Sequence, residues 1–255
     1  MSKIVAIIQA RTDSARLPNK VLADIFGKPL IIHLLERVKE STTINEIILA
    51  TTTRAVDTPL VNVVRDYGFP VFRGNCNDVL DRYYKAATKY NADGIVRITG
   101  DCPLIDPAVV DKVTHVFLKH QYDYVTNTLE PTYPDGLDVE VFSYTALQKT
   151  WGEAILVSER EHVTSYLRNH PEKFSLKDVK HTIDLSYMRW TVDQQEDLTF
   201  VREVFKRLYN KQKIFHMQDI VDLLQKHPEL IEINNGIQRN EGYLRSLEHD
   251  KKTKR

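Results

Sequence analysis

Ten residues carry an unusual density of groups that can hold a polyphosphate. Arg11, Arg16 and Lys20 supply three cations, and Thr12 and Ser14 supply two hydroxyls. Arg grips phosphate oxygens in a two-pronged fork, and Lys acts as a compact point charge. The stretch follows a short apolar run, Ile4-Val5-Ala6-Ile7-Ile8, that reads as a buried strand. In an open α/β sheet, ligands bind where such strands end. The stretch has no glycine and no GxxxxGK[ST] pattern, so side chains rather than a backbone cradle must do the holding.

Carboxylates form the second set. Asp101 follows Thr99-Gly100 after the apolar run Ile95-Val96-Arg97-Ile98. There it suits a divalent ion, since Mg2+ is bound through one or two carboxylates plus substrate phosphates; it also reads as a turn cap. The glycine before it permits close approach of another group. Asp193 closes a predicted strand, Trp190-Thr191-Val192, and also reads as an N-cap for the helix that follows. Asp135, Asp138 and Glu140 fall within six residues. They suit the hydroxyls of a polar substrate or a metal, and also read as the wet face of an edge strand. Arg160, Glu161 and His162 open a helix, where Ser158 and Glu161 have the spacing of a capping box. No covalent nucleophile stands out by spacing.

Hydrophobic periodicity supplies the scaffold. Ile47–Ala50, Val71-Phe72 and Ile95–Ile98 read as further buried strands. Helical stripes run through Ile31–Val38, Leu60–Tyr67 and Val79–Ala87. Thr58-Pro59 and Asp106-Pro107 read as caps with proline in the first turn, and Gly68 as a helix stop. Repeated strand-to-helix units predict an α/β fold with a doubly wound, largely parallel sheet. In the second half, Tyr122–Val125 reads as a strand. Leu137–Val141 alternates, so Asp138 and Glu140 share one face. Helical spacing returns at Leu198–Leu208 and Ile220–Leu224. These elements read as completing one domain over residues 1–245, followed by a basic, flexible tail at 246–255.

Composition narrows the partners. The chain has 255 residues, 35 Lys+Arg and 35 Asp+Glu. A net charge of +0 argues against broad binding to nucleic acid or membrane. No apolar run approaches the roughly 18 residues of a membrane span. The start shows no signal-peptide pattern, which places the chain in the cytoplasm. Cys76 and Cys102 suggest neither a disulfide framework nor a zinc site.

The ordered blocks resemble a known family. Ile8-Gln9-Ala10-Arg11…Ser14…Arg16-Leu17-Pro18…Lys20-Val21-Leu22 resembles the nucleotide-binding signature of the cytidylyltransferases that activate acidic sugars, such as the CMP-Kdo and acylneuraminate synthetases. Asp78–Tyr84, Arg97–Asp106, Asp135–Phe142, Glu159–Thr164, Arg189–Asp193 and Arg239–Leu244 resemble its spore-coat polysaccharide SpsF branch. The resemblance implies a Rossmann-like nucleotidyltransferase fold, and often a homodimer. It implies that Arg11, Ser14, Arg16 and Lys20 hold the triphosphate of CTP and that Asp101 and Asp193 hold Mg2+. It also implies that Thr51 and Arg73 line the nucleotide pocket. Two departures stand out: Thr12-Asp13 replaces the usual Met-Gly, and Asn19 the usual Gly. Asp and Asn both tolerate left-handed backbone. Asp13 is unhelpful beside a triphosphate unless it points away or meets a cation.

The expected reaction is attack by a sugar hydroxyl or phosphate oxygen on the α-phosphorus of CTP, releasing pyrophosphate. Arg11, Lys20 and Asp101 are the expected catalytic groups. Asp135, Asp138, Glu140, Arg160 and His162 are the candidates for an acceptor pocket, with His162 also a possible general base. Two other readings stay open: a glycosyltransferase using a nucleotide-sugar donor, and a non-catalytic nucleotide-binding partner in a polysaccharide pathway.

Overall fold

The computed structural model describes residues 2–210, 213–237, 239, 246–247 and 250. In chain order its first half contains β1 (Ile4–Gln9), β2 (Asp24–Ile25), β3 (Lys28–Pro29), α1 (Leu30–Lys39), β4 (Glu46–Thr52), α2 (Thr58–Asp66), β5 (Val71–Gly74), α3 (Val79–Lys89) and β6 (Gly94–Thr99). The remainder contains α4 (Pro107–His120), β7 (Tyr124–Thr126), β8 (Glu140–Ser143), α5 (Tyr144–Glu153), α6 (Val157–Glu161), α7 (Ser165–Asn169), β9 (Leu176–Asp178), α8 (Gln195–Leu208) and α9 (Met217–Lys226).

The apolar run of β1 has no polar face because both of its faces are covered. Ile4, Ala6 and Ile8 join one apolar layer, and Val5 and Ile7 join the other. The first layer draws on α1, α2, α4, α8 and α9, and the second on α3, α5 and α7. Residues from both halves of the chain therefore share the same two layers.

Seven strands form one sheet in the order β5-β4-β1-β6-β8-β7-β9. Strands β4 and β6 flank β1 in parallel register, with Gln9 beside Ala50 and Thr99. Among the described residues of this sheet, only β8 runs against its neighbours. The expected Rossmann-like, largely parallel α/β sheet is what the chain forms. The chain steps outward from β1 through β4 to β5, then returns to β6 on the other side of β1. The loops after β1 and β6 therefore part at a reversal of strand order, the usual place for a ligand crevice. Gly100 lets them begin close together. A Cβ there would lie 2.6 Å from Ala10 Cβ and 2.8 Å from Gln9 O.

Several local expectations change. Trp190–Val192 is not a strand; only Arg189 makes a bridge, to Asp135. Its neighbours are instead bound one by one, with Val192 N–H donating to Asp101 O at 2.8 Å. The capping glutamate of α6 is Glu159, not Glu161, and Ser158 lies inside the helix. Glu159 Oε2 accepts from Leu156 N–H at 3.1 Å. Helix α2 begins at Thr58 itself, with Asp57 as its N-cap. Asp106 caps α4 as expected, accepting from Ala108 N–H at 2.8 Å. Gly68 follows α2 with φ +83°, also as expected. The β2–β3 hairpin was not anticipated; its turn places Phe26 and Gly27 at positive φ. Among the described residues, no helix is long and apolar enough to cross a membrane.

Candidate active site

The loop after β1 is held by its own polar residues. Thr12 turns inward, its N–H and Oγ1 both donating to Asp57 Oδ1 at 2.8 Å. That hydroxyl is therefore an anchor, and Ser14 is the loop hydroxyl that faces the cleft. Asn19 takes the left-handed conformation, φ 59°, and its N–H closes the loop on Thr12 O at 2.8 Å. Asp13 does not use that backbone region. Its carboxylate meets two cations, Arg11 Nε at 3.4 Å and Arg54 Nη1.

Two adjoining chambers open at the strand ends. The first, of about 500 Å³, is lined in part by Arg11, Ser14, Arg16, Lys20, Arg82 and Glu161. The second, of about 310 Å³, holds Asp135, Asp138, Glu140, Arg97, Arg189 and Arg239 on its walls. Arg16, Thr99, Asp101 and His162 border both.

Lys20 sits at their junction. Its Nζ donates to Asp101 Oδ2 at 2.8 Å, Asp193 Oδ1 at 2.8 Å and Val192 O at 2.7 Å. Burial disfavours its charge, but the two carboxylates override that and raise its pKa. Asp193 also receives Arg16 Nη2 at 2.7 Å and Arg189 Nη2 at 3.1 Å. Burial would push Asp193 up; Lys20 first, then Arg16 and Arg189, hold it down to about 2. Asp101 and Asp193, about 90 residues apart in sequence, thus converge on one ammonium group.

In the second chamber the cations and carboxylates alternate. Arg189 bridges Asp135 at 2.9 Å and Asp197 at 2.9 Å. Arg239 reaches Asp138 at 2.6 Å. Asn240–Leu244 of the same sequence block lie outside the described residues, as do 251–255 of the expected tail. Both oxygens of Glu140 are occupied. Oε2 pairs with Arg97 Nη1, and Oε1 accepts from Tyr124 OH at 2.5 Å and Thr164 Oγ1 at 2.6 Å. Desolvation opposes its charge, yet Arg97 leads the groups that lower it to about 2.

Desolvation pushes Asp138 up to about 7; Arg239 opposes this, and Asp135 and Glu140 reinforce it. The folded chain therefore holds this proton more tightly than the unfolded chain does. Stability contributed by protonated Asp138 is lost as pH rises from the unfolded value near 4 through about 7. Wild-type melting temperature is expected to fall between pH 5 and pH 8 by more than that of Asp138→Asn. Parallel pH profiles in thermal melts would rule out the raised carboxyl.

His162 and Glu161 face the first chamber, and Ser246 joins them. Ser246 Oγ donates to Glu161 Oε2 at 2.8 Å, so His162 Nε2, 2.9 Å from the same hydroxyl, is the donor in that contact. Burial lowers the His162 pKa to about 4, so the ring is neutral near pH 7. Arg160 is not brought to either chamber. Its guanidinium grips Asp78 at the start of α3 and the Trp151 carbonyl, tying α3, α5 and α6 together. Thr51 is buried in β4, and Arg73 donates to the Thr52 and Arg54 carbonyls, so neither lines a chamber. Arg82, Arg97 and Arg189 were missed as site residues. Arg97 stood out as an arginine inside an apolar strand, and all three arginines lie in blocks that carry the family resemblance.

A doubly covered α/β sheet carries a cationic side-chain loop at its switch point, facing Asp101 just after β6 and Asp193 on an irregular segment, an arrangement suited to a nucleotide polyphosphate. The chain belongs to the cytidylyltransferase family, whose profile matches residues 5–239. It is a CTP-dependent nucleotidyltransferase. It is similar to the spore coat polysaccharide biosynthesis protein SpsF of Bacillus subtilis, 29% identical over 238 residues, covering 90% of this chain and 97% of that protein. A cytidylyltransferase structure from Leptospira borgpetersenii superposes with a TM-score of 0.88 at 33% identity, covering 94% of this chain and 100% of that one. CMP:2-keto-3-deoxy-manno-octonic acid synthetase, solved with CTP, shares the fold: TM-score 0.64 at 21% identity, over 81% of this chain and 99% of that one.

Proposed function

We propose that this chain transfers CMP from CTP to an acidic or phosphorylated sugar, releasing pyrophosphate, in the synthesis of bacterial surface polysaccharide or glycoconjugate. The observation that carries the reading is the pair of chambers sharing Arg16 and Asp101. The first, with Arg11, Arg16, Lys20 and Arg82 against Asp101 and Glu161, carries the cationic surplus a triphosphate needs. The second, with alternating arginines and carboxylates, offers donors and acceptors to a polar acceptor. The shared wall is then where the acceptor oxygen meets the α-phosphorus.

Asp101 and Asp193 fit Mg2+. Two hard oxygen donors converge on one cationic position, and Asp193 is ionised well below neutrality. A metal held there supplies charge neutralisation at the α-phosphate. Arg11, Ser14, Arg16 and Lys20 grip the β- and γ-phosphates and stabilise the departing pyrophosphate. The new bond joins the acceptor oxygen to the α-phosphorus, and the bond from that phosphorus to the bridging oxygen breaks. A hydroxyl acceptor also gives up its proton, which passes to solvent. Neutral His162, on the boundary of both chambers, is placed to orient the acceptor; its low pKa makes it a weak base. Asp135, Asp138 and Arg239 shape the acceptor side. The chain works in the cytoplasm as a homodimer, in line with the family resemblance.

The test is pyrophosphate release from CTP and Mg2+ with a panel of acidic and phosphorylated sugars. Release that depends on one acceptor class is expected. Transfer from a nucleotide sugar without pyrophosphate would replace this reading with glycosyl transfer. CTP binding without turnover across the panel would replace it with a binding role.

A further inference from the structure

We infer that Lys20 gates the carboxylate pair, excluding free divalent cations until a nucleotide polyphosphate draws its ammonium away. The inference rests on the proposed metal role of Asp101 and Asp193. An ammonium has three donors, and all three are used here, on Asp101, Asp193 and the Val192 carbonyl. In this arrangement Lys20 has none left for a phosphate. It also fills the point on which the two carboxylates converge, and it is itself only 8% exposed.

Leaving that position uncompensated is costly, because it sets two part-buried like charges against each other with no cation between them. A bare triphosphate draws Lys20 out but gives the carboxylates nothing in return. A free divalent cation satisfies the carboxylates but must expel a buried lysine with no anion to receive it. The two together exchange cleanly: the ammonium and the Arg16 fork move from Asp193 onto phosphate, and the divalent ion takes their place. Arg189 stays, since its other contacts are to Asp135 and the fully buried Asp197. Lys20 is in this sense a positioning residue that makes metal and nucleotide enter together.

Equilibrium dialysis with Mn2+ reads this without turnover. Wild type is expected to retain little Mn2+ alone and much more with CTP, after correction for Mn2+ bound by CTP itself. Lys20→Met removes the charge at similar length and is expected to bind Mn2+ without CTP at least roughly tenfold tighter than wild type. Lys20→Gln gives a second variant with a polar group should the methionine not fold. Adding Asp101→Asn to either variant is expected to erase the gain.

Equal Mn2+ affinity in wild type and both Lys20 variants would overturn the gate, as would a gain that survives Asp101→Asn. Wild type binding Mn2+ as tightly without CTP as with it would do the same. The metal assignment is judged separately, by whether CTP-dependent retention in wild type is lost in Asp101→Asn.

Discussion

Asp101→Asn is expected to lower kcat for pyrophosphate release by roughly 10³-fold while leaving the fold intact. Loss of one charge-stabilising group at a transition state typically costs about 10²–10³ in rate. Asp101 also stands at the upper end because both chambers meet at it. The substitution keeps the side chain's shape, and its carbonyl still accepts from Lys20. Lys20 keeps Asp193 and the Val192 carbonyl in any case. The melting temperature is therefore expected to stay within a few degrees of wild type. Near-wild-type turnover would remove Asp101 from the proposed metal site. A collapsed melt would make it a folding residue instead.

Glu140→Ala is expected to be the most destabilising single change at the site. Glu140 is 5% exposed and anchors Arg97, Tyr124 and Thr164 at once. Removing one member of a buried pair leaves the other charge uncompensated, at about 3–5 kcal/mol. For a chain of this length that is a fall of roughly 10 °C in melting temperature. The same geometry decides between two roles for this residue. A carboxylate whose oxygens are already taken by three internal partners builds the wall of the second chamber and has little left to offer a ligand. A variant that melts within 2 °C of wild type, with a raised KM for the acceptor, would reverse that assignment.

The comparison of these two carboxylates shows what sequence pattern carries. Both were candidates from type and placement, at strand ends or on one face of an alternating run. Alternation correctly put Asp138 and Glu140 on one face, because side-chain direction in extended chain is set by the backbone alone. It could not say that Tyr124, Thr164 and Arg97 would occupy Glu140, since those partners come from three other segments. Glu161 shows the opposite error. Its spacing from Ser158 matched a capping box, but α6 starts two residues earlier than that box requires, and Glu159 takes the capping role. Glu161 then faces the first chamber. Arg160 was grouped with it by adjacency, yet neighbouring positions on a helix point in different directions, and its guanidinium goes to Asp78.

Local pattern was enough for the parallel α/β fold, the cationic loop after β1 and a carboxylate, Asp101, just after β6. Each rests on short-range rules: apolar runs bounded by polar ones, caps with proline, and cations placed directly after a strand. How those groups meet depends on packing between distant segments. Strand order brings the β1 and β6 loops together, and Gly100 lets them start in contact. Val192, held to Asp101 by its N–H, carries Asp193 to the same ammonium. Such meetings depend on chain segments distant in sequence, so no local pattern encodes them. The loop first read as three cations is, in the folded chain, a lysine already paired with both carboxylates, one arginine paired with Asp193, and one set against Asp13.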